Sequence, residues 1–210
     1  MSIRSDSTEV ILVRHGQTEW NRMQRFRGRV DIPLNATGRV QAKSIARRLA
    51  RRGIPATIFA SPLGRCVQTA KAIAAATGAQ VQILEGIVDL DSGDWQGLTP
   101  DEVEKRYPDM YRTWLSAPQD ARIPRGETLD HVRARAVAAL EQCTERHTGQ
   151  RIVLVSHDAV CKVLVCAVLG LDNSHFWRIK QDNAAINIFE RRGEDYIIKT
   201  INDTCHVEGA

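Results

Sequence analysis

The sequence predicts an α/β protein: a three-layer α/β/α sandwich whose mostly parallel central sheet carries helices on both faces, with a small helical insertion. Apolar runs of strand length alternate along the chain with segments of helical period. The run RIVLVS at 151–156 has no polar alternation, as expected for a strand that is buried on both faces. The 210 residues contain no repeats or linkers, so we expect one domain over residues 1–210.

The order of the elements supports this fold class. Strands are expected at 10–13, 56–60, 81–84 and 151–156, and the alternating segments AINIFE and YIIKTI predict a hairpin near the carboxyl end. Helices are expected from the N-cap Thr37 to Arg52, from Pro62 to about Gly78, from the capping box Thr99–Glu102, over 107–117, over 127–147 and over 158–171. The helices within 94–126 form the insertion.

Composition and charge exclude several classes of function. The net charge of +4 is too small to indicate nucleic-acid binding, and the basic segment ARRLARRG at 46–53 is typical of a solvated helix face. The five cysteines contain no C-x-x-C pair, which argues against a disulfide framework and a zinc site. Residues 1–10 lack the apolar core of a signal peptide, and the apolar stretch 159–171 is too short to span a bilayer. We therefore expect a cytoplasmic protein that binds neither nucleic acid nor membrane.

Charged and titratable side chains follow four of the predicted strands. Ligands of open α/β sheets bind outside the carboxyl ends of the strands, so we expect these side chains to share one site. They are Arg14 and His15 after the first strand, Arg65 after the second, Asp89 after the third, and His157 and Asp158 after the strand at 151–156.

This set of residue types indicates phosphoryl transfer. Guanidinium groups bind phosphate oxygens through charge-assisted hydrogen bonds, and they stay charged at neutral pH. One histidine can attack phosphorus and form a phosphohistidine, while the other donates to a phosphate oxygen. A carboxylic acid can protonate the leaving alcohol. The arginines would take the place of a metal ion, so no metal or other cofactor is expected.

One other motif competes with this interpretation. DLDSG at 89–93 resembles the D-x-D start of haloacid dehalogenase-type phosphatases, which form an aspartyl phosphate with magnesium. The segment lacks the threonine and the apolar run expected after it. It also leaves Arg14, His15 and His157 without a role.

Four segments, LVRHGQTEWN, SPLGRCVQTA, DLDSGDWQG and VLVSHDAV, resemble the successive signatures of the histidine phosphatase superfamily, in its phosphoglycerate mutase-like branch. The resemblance covers nearly the whole chain. It implies His15 as the nucleophile, with Arg14, Arg65 and His157 completing the phosphate pocket. It also implies that Asn21 contacts the phosphate, and that Arg27 and Gly28 lie near the phosphate or its leaving group.

The chain departs from the family pattern at the general acid. The family usually has glutamate where this sequence has Asp89, and aspartate is one methylene shorter. Asp89 is favoured as the acid because its loop position matches. Asp158 is the alternative, because a distant branch of the superfamily takes its acid from a His-Asp pair. Asp158 is also predicted to be the N-cap of a helix over 159–169.

The carboxyl-terminal segments FWRIKQDNAAINIFE and INDTCHV are similar to metal-independent phosphoserine phosphatases and α-ribazole phosphatase-like members. Within them, His206 is the one residue expected near substrate, with an exposed tail residue as the alternative. Four tryptophans could suggest a ligand cage, but packing is the expected role, with Trp95 fixing the acid loop. The four are Trp20, Trp95, Trp114 and Trp177.

The sequence therefore predicts a metal-independent phosphatase of a small phosphorylated metabolite, with L-phosphoserine or a similar phosphorylated acid as the expected substrate. A carboxylate on the substrate is expected because Arg25, Arg27 and Arg29 make one loop basic, although these arginines could equally face solvent. A cofactor-dependent phosphoglycerate mutase and an α-ribazole phosphatase are the alternatives, and a non-catalytic binding domain is disfavoured. The oligomeric state is left open, with a homodimer as one option.

Overall fold

The computed structural model describes residues 7–207, and its centre is a six-stranded sheet with the order β3-β2-β4-β1-β5-β6. The strands β3, β2, β4 and β1 run parallel, and β5 and β6 form the predicted antiparallel hairpin at one side. The strands are β1 Thr8–Arg14, β2 Thr57–Ala60, β3 Val81–Ile83, β4 Arg151–Ser156, β5 Ile186–Arg192 and β6 Asp195–Asp203. The mostly parallel sheet is therefore confirmed.

Helices cover both faces of this sheet. Along β1, Val10 and Leu12 belong to one apolar core, and Ile11 and Val13 belong to the other, so the strand is buried on both faces. The core around Val10 includes helices α6 and α7 and the insertion helices α4 and α5, and the other core includes α2 and α3. The helices are α1 Glu19–Arg22, α2 Ala36–Ala50, α3 Gly64–Thr77, α4 Pro100–Arg106, α5 Pro108–Ser116, α6 Leu129–Arg146 and α7 Asp158–Val168. The three layers and the helical insertion are thus confirmed.

Two helices begin at other residues than predicted. Helix α2 begins at Ala36 rather than after Thr37, because the side chain of Asn35 caps it by accepting a hydrogen bond from the Gly38 N–H at 2.8 Å. Helix α3 begins at Gly64 rather than at Pro62. The Gly64 N–H donates to Asp31 Oδ1 at 2.7 Å, so a carboxylate from a distant loop caps this helix.

The prediction that Asp158 is the N-cap of the seventh helix is wrong. His157 occupies the N-cap position and makes no side-chain capping hydrogen bond, and Asp158 is the first helical residue. Its carboxylate is instead paired with two cations, as described below. The basic segment at 46–53 is solvated, as expected, because Arg47, Arg51 and Arg52 are exposed.

The register of the sheet brings the predicted site residues together. Strands β1 and β4 are neighbours, with Arg14 aligned to Ser156, and the His15 N–H donates to the Ser156 carbonyl oxygen at 3.0 Å. Strand β2 lies on the other side of β4, with Ala60 aligned to Val155. Three adjacent strands therefore end at one level, and His15, Ser61 and His157 directly follow their ends.

The loop after His15 packs closely against the start of helix α2. A Cβ atom added to Gly38 would overlap the carbonyl oxygen of Gln17, and a Cβ added to Gly16 would overlap that of Gly38. Two glycines are thus required for two backbone segments to touch beside the site.

No helix within residues 7–207 has the length and apolar character needed to cross a membrane. The expectation that the amino terminus is not a signal peptide concerns mainly residues 1–6, which lie outside the described residues, as do the domain limits at residues 1 and 210.

Candidate active site

His15 and His157 lie side by side at the sheet edge, with ring centroids 5.2 Å apart and ring planes at 65°. Neither side chain has any exposed surface. His15 Nδ1 lies 2.6 Å from the carbonyl oxygen of Gly16, which can only accept, so Nδ1 carries the proton and donates it. The lone pair of the ring is therefore on Nε2.

The surroundings of His15 keep its ring neutral. Burial is the main cause, and the charge of Arg65 adds to it, so the pKa of His15 is held well below its usual 6.5. His15 Nε2 is buried and has no hydrogen-bond partner within the protein. A neutral imidazole with an unshared, unpartnered lone pair is the form that a nucleophile requires.

Two arginines beside His15 also have buried nitrogen atoms without partners. Arg14 donates through Nη1 to the carbonyl oxygen of Gln181, and Arg27 donates through Nη1 to that of Arg25 at 3.5 Å, but the Nε atom of each has no partner. Burial, with the charge of Arg14 adding to it, lowers the pKa of Arg27 to about 10. Arg27 therefore remains charged at neutral pH. A bound phosphate could accept from both arginines while facing His15 Nε2.

Arg65 is fully buried and binds several groups of the site. Its Nη2 lies 2.9 Å from Asp89 Oδ2, and its Nε donates to His157 Nδ1 at 3.2 Å. The guanidinium also donates to the carbonyl oxygens of Gly28 and Val30, at 3.0 and 2.8 Å. Arg65 thus fixes the acid and the second histidine, and it anchors the loop that carries Arg27.

His157 is oriented by Arg65 and Ser61. Because Arg65 Nε can only donate, His157 Nδ1 accepts, and its proton is on Nε2, which lies 2.7 Å from Ser61 Oγ. Burial, followed by the charge of Arg65, holds the pKa of His157 well below 6.5. The predicted donation from His157 to a phosphate oxygen stays a prediction. Ser61 was missed by sequence reasoning, although it follows strand β2 as His15 follows β1.

Both candidates for the general acid, Asp89 and Asp158, line one cavity, which Arg14 and Arg27 also line. Asp89 is 5% exposed, and its Oδ1 accepts from the Leu90 N–H at 3.0 Å. The Asp158 side chain is 24% exposed, and its carboxylate lies 3.4 Å from Arg14 Nη1 and 3.1 Å from Lys162 Nζ. Asp89 therefore lies against Arg65 and His157, whereas Asp158 lies on the other side of Arg14.

The predicted substrate contacts divide into two groups. Asn21, Arg27 and Gly28 line the cavity. The side-chain oxygen of Asn21 accepts from the Thr18 N–H at 2.9 Å, as part of the cap of helix α1. His206 does not line the cavity, and its Nε2 lies 3.0 Å from the carbonyl oxygen of Ala184. Its contact with substrate stays a prediction.

The loop that carries Arg25, Arg27 and Arg29 offers less unpaired positive charge to the cavity than its composition suggests. Arg25 lines the cavity but donates to the Gly97 carbonyl oxygen and lies 3.4 Å from Glu102 Oε2. Arg29 does not line the cavity, and its Nη2 pairs with Glu127 at 3.0 Å. Arg27 is the member of the three that has an unpartnered nitrogen.

The tryptophans have two roles. Trp95 is fully buried and contacts the rings of Phe26 and Trp114 edge to face, which confirms its role in packing beside the acid loop. Trp114 and Trp177 also pack against each other, but both line the cavity, which has a volume of about 450 Å³. The expected packing role is therefore found for these two as well, and the surface they give to the cavity is additional to it.

The fold and the site together define an α/β protein that can hold a phosphate group against a buried, neutral histidine. Residues 10–204 match the histidine phosphatase superfamily (branch 1), and the chain belongs to this superfamily.

Several known proteins are similar to this chain over most of their length. Phosphoserine phosphatase 1 of Hydrogenobacter thermophilus is 36% identical, covering 95% of this chain and 94% of the relative. The metal-independent phosphoserine phosphatase of Arabidopsis thaliana is 32% identical, with coverage of 99% and 86%. "Probable phosphoglycerate mutase GpmB" of Enterobacter is 33% identical, with coverage of 95% for both chains.

A solved structure has the same fold. The crystal structure of a phosphoserine phosphatase mutant from Entamoeba histolytica in complex with phosphoserine superimposes with a TM-score of 0.86. Its sequence is 27% identical to this chain, and the match covers 95% of this chain and 98% of the other.

Proposed function

We propose that this protein is a metal-independent phosphatase that hydrolyses small phosphorylated acids, with L-phosphoserine as the first candidate, through a phosphohistidine on His15 Nε2. The observation that carries the proposal is the group of three buried, unpartnered nitrogens: His15 Nε2, Arg14 Nε and Arg27 Nε. Leaving buried polar groups without partners is costly, and an anion with several oxygens would satisfy the two donors while meeting the lone pair.

In the first proposed step, His15 Nε2 attacks phosphorus, a P–N bond forms, and the P–O bond to the alcohol breaks. Asp89 pairs with Arg65 as a carboxylate in the free protein, takes up a proton from the incoming monoanionic ester, and gives this proton to the departing oxygen. In the second step a water attacks phosphorus and gives a proton to the Asp89 carboxylate. The P–N bond then breaks, and its electron pair returns to His15.

The charges that a metal ion would supply come from arginine. Arg14 and Arg27 have the donors to bind the phosphate oxygens, and Arg65 holds Asp89 and His157 in position. Within residues 7–207, no group of three or more His, Cys, Asp or Glu side chains has the arrangement of a metal site. The name of the Arabidopsis relative supports the same proposal.

A carboxylate on the substrate is part of the proposal. The basic loop does not decide this point, because Arg27 is assigned to the phosphate and Arg25 and Arg29 pair with glutamates. The names of the Hydrogenobacter and Arabidopsis relatives, and the phosphoserine in the Entamoeba complex, support phosphoserine as the compound to test first. We further propose that the protein acts in the cytoplasm, since Cys66, Cys143, Cys161 and Cys166 are buried and not in disulfides.

Phosphoglycerate mutase activity is the second candidate, because a relative with that name matches at 33% identity and both reactions pass through the same phosphohistidine. The decisive experiment compares kcat/KM for phosphoserine, the phosphoglycerates, α-ribazole phosphate and sugar phosphates, with and without excess chelator. A mutase assay with 2,3-bisphosphoglycerate runs in parallel.

We expect phosphate release from phosphoserine to be the most efficient of these reactions and to be insensitive to chelator. Rapid interconversion of phosphoglycerates with little phosphate release would favour the mutase. Preference for α-ribazole phosphate or a sugar phosphate would contradict the proposed substrate, and a strict magnesium requirement would contradict the mechanism.

A further inference from the structure

The cavity has a second wall, formed by apolar side chains, that the phosphate chemistry does not use. Helix α5 contributes Tyr111, Trp114 and Leu115, and a 3₁₀ turn at Asn173–Arg178 contributes Phe176 and Trp177. Leu115 is 53% exposed and Trp177 is 43% exposed, although both are large apolar side chains. Exposed apolar surface that is concentrated in one cavity is typical of a ligand-binding surface.

Trp177 is held firmly in spite of this exposure. Its Nε1 donates to the Trp114 carbonyl oxygen at 2.6 Å, and its ring meets the rings of Trp114 and Phe176 edge to face at 5.4 and 4.9 Å. The Lys162 Nζ lies 4.5 Å from the ring centroid of Trp177. An aromatic surface that is fixed before binding loses little conformational entropy when a ligand covers it.

The same lysine connects this wall to the phosphate site. Lys162 Nζ lies 3.1 Å from Asp158 Oδ2, and Asp158 Oδ1 lies 3.4 Å from Arg14 Nη1. Arg14, Asp158 and Trp177 all line the one cavity, so a path along its surface leads from the phosphate-binding arginine to the exposed tryptophan. A phosphate held by Arg14 and its ester group would therefore share this cavity with the aromatic wall.

The size of the cavity also exceeds the needs of a three-carbon substrate. Its volume of about 450 Å³ lies within the range of roughly 300–1,000 Å³ that is typical of pockets for drug-sized ligands. We propose that Trp177 and Leu115 form an apolar subsite for the leaving group, so that the enzyme also hydrolyses phosphate monoesters of larger apolar or aromatic primary alcohols. This proposal rests on the proposed phosphatase activity.

The test uses esters whose alcohols have similar acidity, so that differences report binding of the leaving group rather than its departure. We suggest ethyl, hexyl and 2-phenylethyl phosphate, with L-phosphoserine as reference. For the unmodified protein, kcat/KM is expected to rise by at least roughly tenfold from ethyl to 2-phenylethyl phosphate, since a hydrophobic pocket discriminates by that order for a well-placed apolar group.

Two variants locate the effect. Trp177→Ala and Leu115→Ala are each expected to lower the ratio of kcat/KM for 2-phenylethyl over ethyl phosphate by at least about fivefold. Leu169→Ala is the matched control, because Leu169 is a large apolar residue, 44% exposed, that does not line this cavity. It should leave the ratio unchanged. Leu115 lies near the protein surface, so its variant tests the subsite even if the Trp177 variant folds poorly.

Binding of the inert compounds ethylphosphonate and 2-phenylethylphosphonate, followed by calorimetry, gives a measure that does not depend on turnover. Tighter binding of the aromatic phosphonate, lost in the Leu115 or Trp177 variants, supports the subsite. Equal kcat/KM values for the esters together with equal binding of the two phosphonates would overturn the subsite and leave the phosphatase intact. If neither phosphoserine nor any of the three esters is hydrolysed, the proposed function is overturned instead. Binding of the two phosphonates would still decide whether the subsite exists.

Discussion

Arg65 and Asp89 form a buried ion pair, in which Nη2 lies 2.9 Å from Oδ2 and the two side chains are 0% and 7% exposed. The same guanidinium donates to His157, so one arginine sets the positions of the acid and of the second histidine. Asp158 has no such link to His157, because its ion pairs are with Arg14 and Lys162. This difference in surroundings leads to a direct test of which aspartate is the general acid.

Asp89→Asn keeps the shape of the side chain but cannot transfer the proton. Turnover of an alkyl phosphate is expected to fall by on the order of a hundredfold or more. Turnover of p-nitrophenyl phosphate should fall much less, because its leaving group needs little protonation. Steady-state kinetics with both esters checks this result. Asp158→Asn is the matched comparison, and if it gives this pattern while Asp89→Asn does not, the assignment of the acid is wrong.

His15→Ala is expected to remove nearly all phosphatase activity, because His15 Nε2 offers the site a buried, unpartnered lone pair on a neutral ring. Rapid quenching of the unmodified protein with substrate should trap an acid-labile phosphoenzyme that the variant does not form. His131→Ala serves as a control, since His131 lies exposed on helix α6. A phosphoenzyme that persists in the His15 variant would place the nucleophile elsewhere.

The pH dependence of activity should follow from the neutral state of His15. Burial holds the pKa of His15 well below 6.5, so the ring keeps its lone pair as the solution becomes mildly acidic. We therefore expect the acid limb of the kcat/KM profile to lie below pH 6.5. Measurements from pH 4.5 to 8 with an aryl phosphate would check it. A loss of activity centred at or above pH 6.5, in a protein that remains folded, would contradict this account of the nucleophile.

Stability should depend on the same two histidines. The pKa values of His15 and His157 are lowered in the fold, so the unfolded chain binds more protons than the folded chain just below pH 6.5. Their contribution to the free energy of unfolding is fully present above pH 6.5 and is lost as the pH falls toward the lowered values. Urea unfolding at pH 7.5, 6.5 and 5.5 should show this loss. His15→Asn should reduce the slope of the free energy of unfolding against pH, by an amount equivalent to at most about one bound proton.

Gly38→Ala should destabilise the fold, because its new Cβ would overlap the backbone of Gln17, which cannot move without disturbing the loop after His15. The expected loss in the free energy of unfolding is about 1–3 kcal/mol, as for other overpacking substitutions. Thr37→Ala, at the exposed neighbouring position of the same helix, should change the stability little. An equal effect of the two substitutions in urea unfolding would show that the close contact is unimportant.

The main site residues could be predicted because each follows a strand end. Arg14, His15 and His157 stand next to apolar runs, and Arg65 lies in the first turn of the helix that follows β2. The rule that the carboxyl ends of parallel strands meet at one sheet edge does not depend on how far apart the strands are in the sequence. Asp89 needed the family resemblance as well, because its strand, β3, is short and half exposed. The structure brings His15, His157, Arg65 and Asp89 into contact, and it aligns Arg14 with Ser156, next to His157.

Other parts depend on contacts that no local pattern encodes. Helix α3 is capped by Asp31, which lies far away in sequence, so local cap signals place its start too early. Ser61 becomes significant only through its hydrogen bond to His157. The role of Trp177 depends on which of its sides the fold covers, and Lys162 is buried within an otherwise apolar helix because Asp158 and two aromatic rings surround its ammonium group. A sequence pattern shows that such residues are unusual but not what they contact.

The pairing of β1 with β4 also has a consequence for folding. His15 and His157 become neighbours only when β1 and β4 have paired, with all the residues between the two strands looped out. Closing so long a loop is entropically costly, and pairings of this kind slow folding. An amino-terminal portion emerging from the ribosome carries the nucleophile but lacks its partner. The chain would therefore have no activity until β4 has been synthesised and has paired with β1, and recovery of activity during refolding should report the formation of this central strand pair.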